Sequence, residues 1–240
     1  MTQAQCIERL LVRITGRRFS PAIAALASPA HLAAGQLAPL DRTAPSLVFI
    51  ASGAAKLVAH AAAEREQVAA FNFAGDLVMV PGREPHTYVL HALLDSELIV
   101  LPYRALREAV RAEPAVLGTL LDNCDAALGR CREKALMIGR NTAAERMAGF
   151  LVMIARRIGV PHGETILLDL PMSRRDIGDS LGLTIETVSR QFSLLREDRQ
   201  IATEGRSKVM LLDFTGLQAR AGHLAEASAA FSSEFALDQC

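Results

Sequence analysis

Within the stretch LGLTIETVSRQF, residues 181–192, three side chains stand out for what they can do together. Glu186, Ser189 and Arg190 are spaced i, i+3 and i+4, so a helix brings them onto one face. A guanidinium can donate two hydrogen bonds to guanine O6 and N7. A carboxylate accepts from cytosine N4, and a hydroxyl reads a base edge or a neighbouring thymine. This is chemistry for the DNA major groove. The simpler account is a solvated face with a Glu186–Arg190 pair, worth only about 0.3–0.5 kcal/mol. The elements that hold the three residues decide between these accounts.

Those elements are legible on both sides. Ser173 followed by Asp176 resembles a capping box and predicts a helix start, with Ile177 and Leu181 on the buried side. Gly182 supplies a tight turn. Thr184 caps a second helix, whose expected buried side is Ile185, Val188, Phe192 and Leu195. Two short helices joined through a glycine turn form a helix-turn-helix, whose second helix enters the major groove. QIATEGRSKVMLLDF then predicts a strand, a turn at 204–207 and a second strand, a wing directly after the recognition helix. Ser173, Arg174, Arg175, Thr184 and Thr187 at the two helix starts are the candidates to meet phosphates. Arg206 and Lys208 at the wing tip are the others.

Farther back, residues 46–102 read as short strands separated by turns, with no long helix between them, which suggests an all-β roll or barrel. Residues 1–40 are alanine-rich and broken by Pro21, Pro29 and Pro39, and are expected to form short helices leading into the roll. Pro114 is placed to open a long helix. Along it Leu117, Leu121, Cys124, Leu128, Cys131, Ala135 and Ile138 recur at alternating steps of four and three. That heptad pattern suits either a seam between two chains or an amphipathic helix lying on its own domain. After a break at 139–141, TAAERMAGFLVMIARRIG predicts a further helix ending at Gly159. The expected organisation is α+β: a sensor-like roll over 1–112, a dimerisation helix over 113–139 and a winged helix-turn-helix domain over 140–240.

Composition sets looser bounds. The chain has 240 residues, half of them apolar, enough for a core without staples. Its formal net charge is zero, so any basic surface must be local. No apolar run reaches the length of about 18 residues needed to span a membrane. Glu8, Arg9 and Arg13 interrupt what a secretory leader would require, so a cytoplasmic protein is expected. Cys6, Cys124, Cys131 and Cys240 form no CxxC pair and read as free thiols.

These elements together resemble the CRP/FNR group of bacterial transcription regulators over nearly the whole chain. The resemblance runs through LVFIASGAAKLV, FNFAGDLVMV, LDSELIVLP, the long helix, AAERMAGFLVMIARRIG and MSRRDIGDSLGLTIETVSR. It implies a cyclic-nucleotide-binding-like roll, a homodimer formed through the long helix, and an activator that works with RNA polymerase on double-stranded DNA. The last motif looks like the FNR and FixK branches, in which Glu-x-x-Ser-Arg reads TTGAT half-sites. A target near TTGAT-N4-ATCAA is therefore implied for Glu186, Ser189 and Arg190. The family usually places glycine after the recognition helix, where this chain has Arg199.

The signal is where the chain departs from its relatives. Cyclic-nucleotide binders carry an Arg-Ser pair near the end of the roll, where this sequence has His86-Thr87, so cyclic AMP is not expected. The iron–sulfur branch uses several N-terminal cysteines and one in the roll; only Cys6 stands in that region, so no cluster is expected. Haem is the remaining family cofactor, with His31, His60, His86 and His91 as ligand candidates, but none has a distinguishing spacing. The expectation is no cofactor and control by abundance. FixK-type proteins can carry an oxidation-sensitive cysteine on the recognition helix, at the position held here by Ser189. A cupin-like metal enzyme would need two histidines on one face of a strand. His86 and His91, five apart, face opposite sides of a regular strand. No nucleophile–base set or phosphate loop appears either, and the chain is read as a non-enzyme. Cys124 and Cys131 share one heptad position, which suits small apolar packing first; the alternative is a crosslink between symmetry mates.

Overall fold

The computed structural model describes residues 12, 20–41, 43–60, 66–82, 87–139 and 142–222. The chain divides into two compact units, the first ending at Arg132 and the second beginning at Glu133, so the division falls inside the long helix.

In the first unit a short helix α1 (Pro21–Leu26) precedes seven strands. These are β1 (Ser28–Leu32), β2 (Ser46–Ser52), β3 (Ala54–His60), β4 (Glu66–Phe73), β5 (Leu77–Val80), β6 (Thr87–Ala92) and β7 (Ser96–Pro102). They pair antiparallel in two sheets, ordered β1-β7-β2-β5 and β4-β3-β6. The expected roll is present. Residues 28–32 depart from the reading of 1–40 as helical, because they pair with β7, Ser28 opposite Val100 and Leu32 opposite Ser96. Local composition favoured helix, and an open sheet edge overrode it; Pro29 is tolerated because β1 is that edge. Residues 1–11 and 13–19 of that reading lie outside the described residues.

Strand β2 explains why its sequence is a continuous apolar run rather than an alternating one. Val48 and Ile50 turn into a cluster with Leu57, Leu90 and Leu98 between the sheets. Leu47 and Phe49 face the other way, into a cluster with Ile23, Leu106, Val110 and Val116. Both faces are covered, so both alternating sets must be apolar.

A helix α2 (Tyr103–Ala109) and a single 3-10 turn lead to the long helix α3 (Pro114–Gly139). Its inward stripe is Val116, Leu120, Asn123, Ala127 and Arg130. Val116 is buried, Leu120 packs on the same core cluster, and Arg130 lies 3.8 Å from Asp76. The predicted seam is the adjoining stripe, one residue along. Leu117, Leu121 and Leu128 are 42%, 61% and 48% exposed, and Cys124, Cys131 and Ala135 are exposed with them. Ile138, at the end of the row, is half-buried. The contacts with the helix's own domain therefore use a different stripe from the heptad one, which faces outward in the single chain.

In the second unit α4 (Ala143–Ile158) is the central element. Thr142 and Glu145 close a capping box at its start, and Met147, Phe150, Leu151 and Ile154 are buried completely. Around it stand β8 (Val160–His162), β9 (Thr165–Asp169), α5 (Arg174–Leu181), α6 (Ile185–Glu197), β10 (Ile201–Glu204), β11 (Lys208–Leu211) and α7 (Phe214–Arg220). The four strands form one antiparallel sheet, ordered β10-β11-β9-β8. No helix among the described residues is long and apolar enough to cross a membrane.

Candidate nucleic-acid interface

The helix pair α5–α6 begins where the sequence places it. Ser173 Oγ accepts from the Asp176 N–H at 3.1 Å, and Asp176 Oδ2 accepts from the Ser173 N–H at 2.8 Å. Gly182 ends α5 with φ of 65°, a left-handed position that favours glycine. Sequence reasoning passed over Gly178. A Cβ there would stand 2.6 Å from the Leu183 carbonyl oxygen, so the turn closes only because residue 178 has none. Arg146 of α4 fixes the same corner by donating to the Leu181 carbonyl at 3.1 Å.

Helix α6 starts at Thr184, whose hydroxyl accepts from the Thr187 N–H at 3.2 Å. Val188, Phe192 and Leu195 are buried, as expected. Ile185 is not. It is 40% exposed, and Gln191 is buried on the helix instead. The Ile185 side chain stays at the surface in the first turn of α6. An exposed isoleucine beside Glu186 is suited to a thymine methyl group.

Glu186, Ser189 and Arg190 are all exposed on α6. Among the described ion pairs none joins Glu186 to Arg190. The Glu186 carboxyl is held below its ordinary pKa by its own backbone N–H and by the Thr184 hydroxyl, with Arg175 adding to the effect. It is thus an acceptor at neutral pH, as cytosine N4 requires. Arg175 itself is exposed in the first turn of α5.

Arg174 is different. Its guanidinium stacks 3.2 Å from the centroid of the Phe192 ring, and its Nη1 is enclosed without a partner. Burial first, and then the Arg196 charge, lower its pKa to about 10. Beside the expected phosphate contact, Arg174 has a packing role: its guanidinium covers the aromatic ring of the recognition helix. Ser173 Oγ likewise lies 2.6 Å from Asp176, while Thr187 Oγ1 lies 3.1 Å from Thr184 Oγ1.

The wing forms as predicted, with Ile201 opposite Leu211 and Glu204 opposite Lys208. Arg206 is exposed in the turn. Lys208 stands one step back, on β11, with its Nζ 3.8 Å from Glu204; both are exposed, so the pair is weak and a phosphate can displace it.

Between α6 and the wing, Arg199 adopts φ of 54°, the single positive value among described non-glycine residues. Its N–H donates to Arg196 O and the Gln200 N–H donates to Leu195 O, at 3.0 and 2.9 Å, the two bonds of a Schellman ending. A side chain there costs on the order of 1 kcal/mol. Arg199→Gly is expected to raise the melting temperature by a few degrees in a thermal melt; an unchanged or lower value would contradict this account of the turn.

In the roll, His31 Nδ1 is 3.6 Å from Glu97 and His60 Nδ1 is 3.5 Å from Glu66. The His91 pKa is lowered by burial and by the nearby charge of Lys56. No group of three His, Cys, Asp or Glu fit to hold a metal occurs among the described residues, and His86 lies outside them.

Residues 145–220 match the family described as the Crp-like helix-turn-helix domain. The nitrogen fixation regulation protein FixK of Azorhizobium caulinodans is 32% identical over 203 residues, covering 84% of this chain and 82% of that protein. The transcriptional activator protein FnrL of Cereibacter sphaeroides is 36% identical over 162 residues, covering 66% of this chain and 65% of its own length, just under two thirds. Among solved structures, FixK2 from Bradyrhizobium japonicum aligns with a TM-score of 0.70 at 27% identity, covering 83% of this chain and 99% of that one. A CooA mutant from Carboxydothermus hydrogenoformans shares the fold, with a TM-score of 0.73 at 19% identity over 88% of this chain and 95% of that one.

Proposed function

We propose a function from one premise: this chain belongs to the CRP/FNR family of DNA-binding transcription regulators, a non-enzymatic family. As a homodimer joined along the outward stripe of α3, it reads a palindrome close to TTGAT-N4-ATCAA and activates transcription with RNA polymerase. Each protomer presents α6 to one half-site. Arg190 donates two hydrogen bonds to the guanine, Glu186 accepts from the cytosine paired with it, and Ser189 and Ile185 meet thymine. Arg175, Arg206 and Lys208 meet phosphates that fix the register. The observation that carries the reading is the exposed set Glu186, Ser189 and Arg190 on one face of a helix whose start is locked by Thr184 and the Gly182 turn.

The protein works without a cofactor, cyclic nucleotide or iron–sulfur cluster, and its abundance sets its activity. The space between the two sheets supports the part that concerns cyclic nucleotides. Leu57, Leu90, Leu98 and their neighbours fill it with apolar side chains, a poor setting for an anionic ligand.

Selection from a random duplex library with the reduced protein tests the reading. The expected product is an inverted repeat with half-sites about one helical turn apart and a guanine in each. Enrichment of a direct repeat, or of no sequence, would overturn it. Enrichment only after haem is supplied would overturn the cofactor-free part alone.

A further inference from the structure

We propose that Cys124 and Cys131 form a peroxide-sensitive crosslinking site that converts the dimer from a dissociable to a covalent one. The inference rests on the α3 dimer proposed above. Both thiols are free and exposed on the outward stripe of α3, seven residues apart. Seven residues of α-helix separate their Cα atoms by roughly 10 Å. A disulfide needs about 4.4–6.8 Å, so the two cannot bond within one chain. A second copy is the available partner. Leu117, Leu121 and Leu128 flank the cysteines on the same stripe and commit it to packing against an identical stripe.

In a parallel pair, residues at one heptad position face their own counterparts. Helix axes about 8–10 Å apart, with Cα atoms about 2.3 Å from each axis, bring facing Cα atoms to about 3.4–5.4 Å. The wider half of that span lies in the disulfide range, at both positions alike. The leucines hold the register, and the small cysteine side chains permit the close approach.

The reaction balances with hydrogen peroxide as the two-electron oxidant. One thiolate attacks the peroxide, breaking the O–O bond and giving a sulfenic acid and hydroxide, which takes up the thiol proton as water. The facing thiolate then displaces the second oxygen, forming the S–S bond and releasing another water once its own thiol proton is counted. Two thiols and one peroxide yield one disulfide and two waters.

The consequence concerns dilution. A dissociable dimer loses its palindrome when protein falls below the dimer dissociation constant, and a covalent dimer does not. Peroxide would thus extend occupancy at low abundance.

The test uses the full chain with Cys6→Ser and Cys240→Ser, so that only the seam thiols remain. Sedimentation of the reduced protein first establishes whether it is a dimer. After peroxide, a non-reducing gel should show a covalent dimer that persists in Cys124→Ser and in Cys131→Ser and disappears when both are changed. Peptide mapping should find Cys124 joined to Cys124 and Cys131 to Cys131. Circular dichroism of each variant confirms that folding is intact. A reduced dimer that peroxide fails to crosslink, or a Cys124–Cys131 link, would overturn the proposal while leaving the dimer standing. A monomeric reduced protein would overturn both.

Discussion

Arg190→Ala is expected to remove most of the discrimination between TTGAT-N4-ATCAA and the same duplex with its guanines replaced. A bidentate guanidinium–guanine contact contributes about 1–3 kcal/mol of discrimination, and the dimer makes two of them. The specific duplex should therefore lose between about fivefold and 150-fold in affinity per half-site, by the same scale. The guanine-free duplex should bind almost as before, because its contacts are to phosphates. Folding should be untouched, since Arg190 is exposed and makes no ion pair among those described. Arg190→Lys is a sharper control. It restores the charge but not the fork, so discrimination should stay low. Equal losses on both duplexes in a fluorescence anisotropy titration would make Arg190 a phosphate contact.

Replacing Leu121 and Leu128 together by glutamate should dissociate the dimer. The two leucines are 61% and 48% exposed in the single chain, so the substitutions leave the fold of a protomer alone. In the dimer, burying a leucine contributes about 1.5–3 kcal/mol, and four would be lost while four carboxylates were forced together. The dissociation constant should rise by at least about a thousandfold, a change of about 4 kcal/mol. Sedimentation velocity at micromolar protein should show a monomer, and binding to the full palindrome should fall accordingly. A surviving dimer would mean that the outward stripe of α3 is not the seam.

The helix-turn-helix was legible because its signals are local. Ser173, Gly182 and Thr184 act on backbone groups within a few residues of themselves, so residue type and spacing are enough to place both helices. The misplacements and omissions all involve distant neighbours. Ile185 has the right period for the core, yet its side chain stays at the surface. Arg174 reads as a surface cation until α6 brings Phe192 beneath it. Gly178 matters only through the Leu183 carbonyl that folds back upon it. Residues 28–32 became a strand because β7 had a free edge, which alanine-rich composition does not announce. On α3 the heptad spacing was visible, yet two adjoining stripes carry it. Only the packing of Val116 and Leu120 shows which one the protomer uses for itself.

The most direct measurement is equilibrium binding of the purified, reduced protein, with no ligand added, to a labelled TTGAT-N4-ATCAA duplex and to one lacking both half-site guanines. Tight binding to the first and weak binding to the second is the result expected of Glu186, Ser189 and Arg190 as base readers. Equal binding to the two duplexes would contradict that assignment, and absence of binding to either would contradict a regulator that acts without an effector.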